Sequence, residues 1–161
     1  MNLFISVGEV SGDIHGANLI RRFKSHVPAA SFSGMGGDLM AAEGQHQDYH
    51  VKQMAILGIA EVIRHLPFIR TVFKHFEKRF KAGEVDAVIL IDYPGFNLRL
   101  AKIAKKYGIP VFYYICPQMW AWGKKRIHQF RKYVDHSFVI FDFEKEFFDK
   151  YGAAATYIGH P

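Results

Sequence analysis

Length, composition and charge limit what this chain can be. Its 161 residues, half of them hydrophobic, fit one ordinary domain with its own core, and nothing in the composition indicates disorder. The formal charge of +6 favours an acidic partner: nucleic acid, a phosphorylated metabolite or an anionic lipid surface. Cys116 is the only cysteine, which excludes an intrachain disulfide and fits a reducing cytosol. Residues 1–7 lack a basic leader, so we expect no signal peptide, and no apolar run is long enough to span a bilayer.

Short apolar segments alternate with helical patterns along the whole chain. Apolar three-to-four spacing predicts helices over 14–27, with Asp13 as the cap, over 100–107 and 143–151, and over 59–81 with an interruption near Pro67. The alternation predicts one Rossmann-like α/β domain over 1–161, a parallel sheet with helices on both faces. The predicted strands are rich in Val, Ile, Phe and Tyr and cover 3–7, 31–33, 87–91, 111–115, 137–141 and 156–158.

Ligands of such sheets bind beyond the carboxyl ends of the strands, so the loops after the strands are the candidate sites. The first loop, 8–13, carries Glu9, Ser11, Gly12 and Asp13 before a helix, which suits either an anion or a plain tight turn. Its glycine spacing differs from the dinucleotide fingerprint. The second loop, 34–38, holds Gly36 and Gly37 and indicates close approach of a ligand or of neighbouring protein, the latter being slightly favoured.

The third loop places a carboxylate, Asp92, at the end of a buried strand. Aspartate is a poor strand former, so we expect a role other than strand stability, and a general base needs such a rigid position. The alternative is that Asp92 only accepts hydrogen bonds from the turn at Pro94-Gly95, or that Asn97 caps the next helix. We interpret Asp92 as catalytic and Asn97 as a substrate contact.

The fourth loop, 116–126, holds both tryptophans beside a basic cluster. Indoles stack on sugar faces and cations pair with phosphate, so this loop suits a sugar phosphate. The alternative is a loop anchored by tryptophan over the sheet edge. None of the nine histidines shows metal-ligand spacing, and we expect neither a metal nor a cofactor. The substrate-binding residues predicted here are Gln118, Trp120, Trp122 and Arg126.

Five segments, in this order, resemble the signatures of the lipid-A-disaccharide synthase family. They are 8–13 (GEVSGD), 54–62 (MAILGIAEV), 92–97 (DYPGFN), 117–122 (PQMWAW) and 159–161 (GHP), and together they cover essentially the whole chain. Gly123 departs from the basic residue that some members carry there, so it is left out of the site.

The resemblance implies the amino-terminal, acceptor-binding half of an inverting GT-B glycosyltransferase. Such an enzyme joins UDP-diacylglucosamine to lipid X, releases UDP and forms the β-linked lipid A disaccharide at the cytoplasmic face of the Gram-negative inner membrane. Asp92 aligns with the aspartate proposed as the base in that family. The nucleotide-binding half, which follows Gly-His-Pro in the family, is absent from this chain. Alternatives are another GT-B enzyme acting on UDP-sugars, a non-catalytic module that binds acylated sugar phosphate, and, on charge alone, an RNA-binding domain.

The acylated substrates that the resemblance implies require an edge that meets the membrane. The segment 63–81 combines an apolar stripe with surrounding cations, which is how peripheral helices bind anionic bilayers. The alternative is a core helix packed on the sheet; the predicted break at Pro67 favours exposure of the residues after it. The predicted membrane and acyl-chain edge comprises Leu66, Phe68, Ile69, Val72 and Phe73.

Overall fold

A computed structural model describes residues 1–54, 59–122 and 127–160, except the side chains of 59–65 and 121–122. The strands are β1 Asn2–Val7, β2 Ser31–Gly36, β3 Gln45–His50, β4 Ala87–Ile91, β5 Val111–Tyr114, β6 His136–Val139 and β7 Ala155–Tyr157. The α-helices are α1 Val10–His26, α2 Asp38–Ala42, α3 Ile59–Lys81, α4 Pro94–Lys106, α5 Met119–Trp122, α6 Ile127–Tyr133 and α7 Asp142–Lys150, and a single 3-10 turn covers Val51–Gln53.

All seven strands are parallel and lie in the order β3-β2-β1-β4-β5-β6-β7. Strand β1 pairs with both β2 and β4, so Phe4 lies between Ser33 and Val88. The chain therefore builds the sheet outward in one direction from β1 and then outward in the other from β4. Sheets of this topology bind ligands at that reversal, where the carboxyl ends of β1 and β4 are neighbours. The predicted Rossmann-like α/β fold is confirmed.

The two sheet faces bury two apolar clusters. On one face, Ile5 of β1 packs with Ala17 and Ile20 of α1. On the other, Phe4 contacts the α3 rings of Phe76 and Phe80 edge-on, at centroid distances of 4.7 and 5.3 Å. Adjacent residues of β1 thus face opposite sides of the sheet, which explains why Leu3, Phe4 and Ile5 are apolar in succession.

Strand β3 was not predicted, because its sequence Gln45–His50 is polar. It lies at the sheet edge and pairs only with β2, so it needs little apolar surface. Its Asp48 accepts hydrogen bonds from Arg79 and from His75 of α3. Charged contacts to α3 therefore add to the aromatic contacts of this strand, in which Tyr49 meets the Phe68 and Phe76 rings.

The predicted interruption of α3 near Pro67 is wrong, because the helix runs continuously from Ile59 to Lys81. An interior proline costs about 3 kcal/mol. Burial of Val72, Phe76 and Phe80, each fully or almost fully enclosed, supplies about 1.5–3 kcal/mol per side chain and outweighs that cost. Among the described residues, no helix has the length and apolarity needed to cross a membrane.

Candidate functional site

The loops after β1 and β4 touch at the centre of the sheet. Gly8, which follows β1, faces the ring of Tyr93, which follows β4. A Cβ atom added at Gly8 would lie 2.1 Å from the Tyr93 Cγ atom. Glycine is therefore required for the two loops to approach this closely. Asp92 lies between the end of β4 and this contact, so the predicted catalytic residue is at the topological switch point.

The backbone at Asp92 is held in an unusual conformation. Asp92 and Tyr93 have φ angles of 46° and 51°, so two successive residues that are not glycine are left-handed. This conformation costs about 1–3 kcal/mol per residue and persists only where surrounding contacts fix it. The contacts here converge on one atom: the Asp92 carbonyl oxygen accepts hydrogen bonds from the Asn97 amide at 2.8 Å and from the Tyr113 hydroxyl at 2.5 Å.

Asn97 is fully buried and its amide group contacts only protein. Its Nδ2 also donates to the carbonyls of Ile91 at 3.2 Å and of Ser6 at 3.4 Å, and its Oδ1 accepts from the Ser6 hydroxyl at 2.7 Å. Asn97 was predicted as a substrate contact, and in this structure its amide is engaged with protein groups. Asn97 instead joins the ends of β1 and β4 and holds the Asp92 backbone between them.

Tyr113 of β5 completes this network from below. Its side chain is fully buried, and burial, reinforced by the nearby Cys116 and Asp92 groups, holds the pKa of Tyr113 well above its ordinary value. The phenol therefore stays neutral and remains a hydrogen-bond donor to the Asp92 carbonyl. Nothing in the sequence pattern distinguished Tyr113 from the other aromatic residues of the strands.

The Asp92 side chain differs from its backbone. It is half-buried, and no hydrogen bond or ion pair joins its carboxylate to any part of the protein that the structure describes. The alternative interpretation, in which Asp92 only accepts hydrogen bonds from the Pro94-Gly95 turn, requires a hydrogen bond to the carboxylate that is not found among the described residues. A carboxylate with a fixed backbone and free oxygens is suited to accept a proton from a bound hydroxyl.

The first loop supplies exposed groups beside Asp92. Glu9 precedes α1 as its N-cap residue but its side chain makes no capping hydrogen bond, and Glu9 and Ser11 are both exposed. Val10 and Ile14, at the start of α1, are also largely exposed, at 67% and 47%. Gly12 instead faces the sheet, since a Cβ there would lie 3.0 Å from the Val7 side chain. Glu9 and Ser11 remain available to a ligand, whereas Gly12 serves packing.

Asp13, Gly36 and Gly37 have structural roles that replace the predicted substrate contacts. The buried Asp13 carboxylate accepts hydrogen bonds from the backbone N–H groups of Gly37 at 2.8 Å, Leu39 at 3.0 Å and Met40 at 3.1 Å. It therefore caps α2, whereas the sequence had suggested that it caps its own helix, α1. A Cβ at Gly37 would lie 2.4 Å from the Asp13 carboxylate, and one at Gly36 would lie 2.2 Å from the Gln45 side chain.

An aromatic cluster lies beyond the ends of β5 and β6. Trp120 is 37% exposed and meets Phe143 edge-on at 5.2 Å, while Phe141 stacks on Phe143 at 5.4 Å. Gln118 is exposed on the same loop. Phe141 and Phe143 lie in the predicted strand 137–141 and the predicted helix 143–151, whose patterns gave no sign of this cluster. The Trp122 side chain and Arg126 lie outside the described residues.

Glu144 supports the aromatic cluster from inside. It is 1% exposed, and its carboxylate accepts hydrogen bonds from the backbone N–H groups of Ile140 at 3.3 Å and Phe141 at 3.2 Å. Burial raises the pKa of Glu144, and these hydrogen bonds together with one from Trp120 oppose that rise. Glu144 thus connects the turn after β6 to the tryptophan loop.

The predicted membrane edge is only partly on the surface. Val72 is fully buried, so its assignment to that edge is wrong. Phe73 is half-buried and stacks on Phe96 at 4.4 Å, and Phe68 and Ile69 also pack against the core. The apolar stripe after Pro67 mainly holds α3 to the sheet, as the alternative interpretation stated. Leu66, at 38% exposure, is the outermost member.

The chain is similar in sequence to known proteins of one family. A family model described as LpxB, lipid-A-disaccharide synthetase, matches residues 3–161. The chain is 43% identical over 159 residues to a lipid-A-disaccharide synthase of Trichlorobacter lovleyi, covering 99% of this chain and 42% of that protein. It is 41% identical over 160 residues to one from Coxiella burnetii, with 99% and 43% covered. The chain therefore spans less than half the length of these relatives.

A solved structure shares the fold. The chain superposes on MurG of Acinetobacter baumannii with a TM-score of 0.59 at 14% sequence identity, covering 99% of this chain and 45% of that one. At this identity the similarity concerns the fold alone, and it agrees with the Rossmann-like sheet described above.

Proposed function

Because this chain belongs to the lipid-A-disaccharide synthetase family, we propose that it is the acceptor-binding half of a lipid-A-disaccharide synthase. The full-length protein would be a GT-B glycosyltransferase that moves diacylglucosamine from UDP-diacylglucosamine to lipid X. Its product would be the β-linked lipid A disaccharide, with UDP released. The observation that carries the proposal is the Asp92 carboxylate, free at the switch point while its own backbone is fixed.

Asp92 acts as the general base in a single in-line displacement. The acceptor hydroxyl oxygen attacks the anomeric carbon of the donor sugar as the bond to the UDP oxygen breaks. The hydroxyl proton passes to the Asp92 carboxylate, and the anomeric centre inverts from α to β. The protein contributes mainly by holding the carboxylate in a fixed position, because proton transfer requires hydrogen-bond distance.

Exposed groups around Asp92 would bind the acceptor. Glu9 and Ser11 are exposed after β1, and Gln118 and Trp120 are exposed after β5. An indole face suits a sugar ring, and the amide suits its hydroxyl groups. Trp122 and Arg126 are proposed on the family resemblance only. The groups that hold the UDP diphosphate belong to the further domain that the family pattern implies, so this chain by itself should not transfer sugar.

Replacement of Asp92 tests the proposal in the full-length protein. Asp92→Asn keeps the size of the side chain but cannot take the proton, so kcat should fall by about two orders of magnitude or more while acceptor binding is retained. Asp86→Asn is the matched control, because Asp86 lies at the opposite end of the same strand and accepts a hydrogen bond from Asn2 N at 2.6 Å. Equal turnover of the Asp92 variant and this control would remove Asp92 from the mechanism.

The protein would work at the cytoplasmic face of the inner membrane, as a peripheral protein. Leu66, with the half-buried Phe68 and Ile69 beside it, is the apolar part of the proposed edge, and the exposed Arg70 and Lys74 flank it. Leu66→Ser should weaken binding to anionic vesicles without changing thermal unfolding, since the side chain is exposed. Unchanged binding would show that this edge does not meet the bilayer.

A further inference from the structure

A groove crosses the outer surface of the domain between α3, α4 and α6. It consists of two adjoining cavities of about 370 and 690 Å³, which share Arg99, Lys102 and Tyr133. The smaller cavity begins at Pro94 and Gly95, at the start of α4, and the larger one extends to the end of that helix. We call the combined feature the α4 groove.

Cations dominate the sides of the α4 groove. Arg99, Lys102, Lys105, Lys106 and Lys132 line it, and no carboxylate does. Two of the five have acidic partners outside the groove: Lys105 pairs with Asp135 and Lys106 with Glu77, both at 2.7 Å.

The remaining three cations, Arg99, Lys102 and Lys132, form no ion pair with any side chain that the structure describes. Three cations without acidic partners, gathered in one groove that no carboxylate of the described residues lines, favour an anionic ligand.

The floor of the α4 groove is apolar and well supported. Phe73, Ile103 and Tyr133 form it, and all three are half-buried against the core. Phe73 is fixed further by stacking on Phe96 at 4.4 Å. A floor of this kind offers contact to hydrocarbon, whereas the surrounding cations offer contact to phosphate. The groove therefore matches a ligand that carries both.

We propose that the α4 groove is a docking site for the headgroups of anionic phospholipids in a bilayer surface. The lipid phosphates lie between Arg99, Lys102 and Lys132, and the first methylene groups rest on Phe73 and Ile103. Apolar contact combined with attraction to anionic headgroups is the usual basis of peripheral membrane binding. We assign a bilayer and not a nucleic acid because the two aromatic rings of the floor are already engaged by protein: Phe73 stacks on Phe96, and Lys132 lies over the Tyr133 ring, whereas stacking of bases needs free ring faces.

This site extends the proposed membrane association, on which it rests, to residues of α4 and α6 that the α3 edge does not include. The site also fixes which side of the domain faces the bilayer. Since the groove begins beside Gly95, three residues after Asp92, lipid bound there would place the bilayer next to the entrance of the proposed active site.

Vesicle co-sedimentation of the purified 161-residue chain tests the site. Vesicles of phosphatidylcholine with and without phosphatidylglycerol are compared for the wild type and for Arg99→Gln/Lys102→Gln/Lys132→Gln. The matched control is Arg22→Gln/Lys52→Gln/Lys150→Gln, which also removes one arginine and two lysines, all exposed and outside α3, and lowers the formal charge from +6 by the same three. Thermal unfolding of both variants should match that of the wild type.

The groove variant should bind phosphatidylglycerol vesicles roughly tenfold or more weakly, while the control stays close to the wild type, because each cation near the surface adds separately to binding. Equal binding by the two variants would overturn the site, as would equal binding of the wild type to vesicles without phosphatidylglycerol. Loss of poly(U) binding with unchanged vesicle binding would identify a polynucleotide site and overturn the lipid assignment. The Leu66→Ser arm tests the α3 edge separately, and turnover of detergent-dispersed substrates by the full-length protein tests the transferase activity without vesicles.

Discussion

Removal of the Asn97 side chain should be the most informative single perturbation of this domain. In Asn97→Ala, the hydroxyl of Ser6 and the carbonyls of Ser6, Ile91 and Asp92 all lose a buried partner. Four hydrogen bonds at a net value near 1 kcal/mol each, two of them long, give a loss of about 3 kcal/mol in the free energy of unfolding. That is a large part of the 5–15 kcal/mol by which typical domains are stable.

Urea denaturation measures this loss directly. With a dependence of about 2 kcal/mol per molar urea, typical of a domain this size, the midpoint of Asn97→Ala should fall by roughly 1.5 M. Asn18→Ala is the control, because Asn18 is exposed and makes only one weak contact, with Arg21 at 3.4 Å. A midpoint within about 0.5 M of the wild type would refute the reasoning, since the loss would then be below about 1 kcal/mol.

Hydrogen exchange reports the local part of the same effect. Without the Asn97 side chain, the Asp92 carbonyl keeps the Tyr113 hydroxyl as its one described donor, and the conformational cost of left-handed Asp92 and Tyr93, about 1–3 kcal/mol each, favours opening. The Asp92 amide, whose hydrogen bond to Ile115 O is already long at 3.4 Å, should exchange faster than amides in the middle of β4. Uniform exchange along β4 and its following loop would indicate that Asn97 stabilises the fold as a whole and not this turn.

Three further predictions use matched pairs or pH. Ser6→Ala and Ser137→Ala each remove one buried hydroxyl that donates a single hydrogen bond, at 2.7 and 2.9 Å respectively. Both should lower the free energy of unfolding, measured in urea, by about 1 kcal/mol. Only Ser6→Ala should also speed amide hydrogen exchange at the switch point. Gly8→Ala should lower the melting temperature, because its Cβ would meet a ring at 2.1 Å, whereas Gly95→Ala, with no atom within 4 Å, should raise stability by about 0.5–1 kcal/mol. Burial raises the pKa of Glu144, so folding disfavours its carboxylate form, and the cost to stability grows as pH rises from the ordinary value of 4.5 through the raised pKa. Glu144→Gln should therefore be more stable than the wild type at neutral pH, with an advantage that shrinks as the pH falls towards 4.5. An advantage that grew in acid would contradict this sign.

The features that the sequence predicts well are local and apolar. Strand β4 was predicted with its observed bounds, and the strand-end position of Asp92 followed, because a fully apolar run closed by a carboxylate is distinctive without any knowledge of distant contacts. The polar β3 was missed because its stability comes from edge pairing with β2 and from Asp48 contacts to α3. Those contacts join residues about thirty positions apart, which periodicity does not register.

Several side chains that the sequence assigned to ligand binding contact distant parts of the chain instead. Asn97 bonds Ser6 across 91 positions, and Asp13 bonds Gly37 across 24. A polar residue or a glycine beside a strand end signals close approach, but the pattern does not say whether a ligand or the protein itself approaches. The same reasoning also placed Glu9, Ser11, Gln118 and Trp120 in the site, and these four side chains are exposed.

The division of labour around Asp92 follows from where each type of group lies. Ser6, Asn97 and Tyr113, which are fully buried at the switch point, are each hydrogen-bonded to backbone or to another buried side chain. Groups so engaged are poor ligands for a substrate, because a new contact would require breaking a buried bond at a cost of about 1–3 kcal/mol. The Asp92 carboxylate is free of that constraint, and its rigid backbone removes most of the orientational freedom that a flexible acid would have to lose before proton transfer. Substrate contacts should therefore be sought among the exposed side chains around Asp92, whereas the buried polar residues determine how accurately the Asp92 carboxylate is positioned.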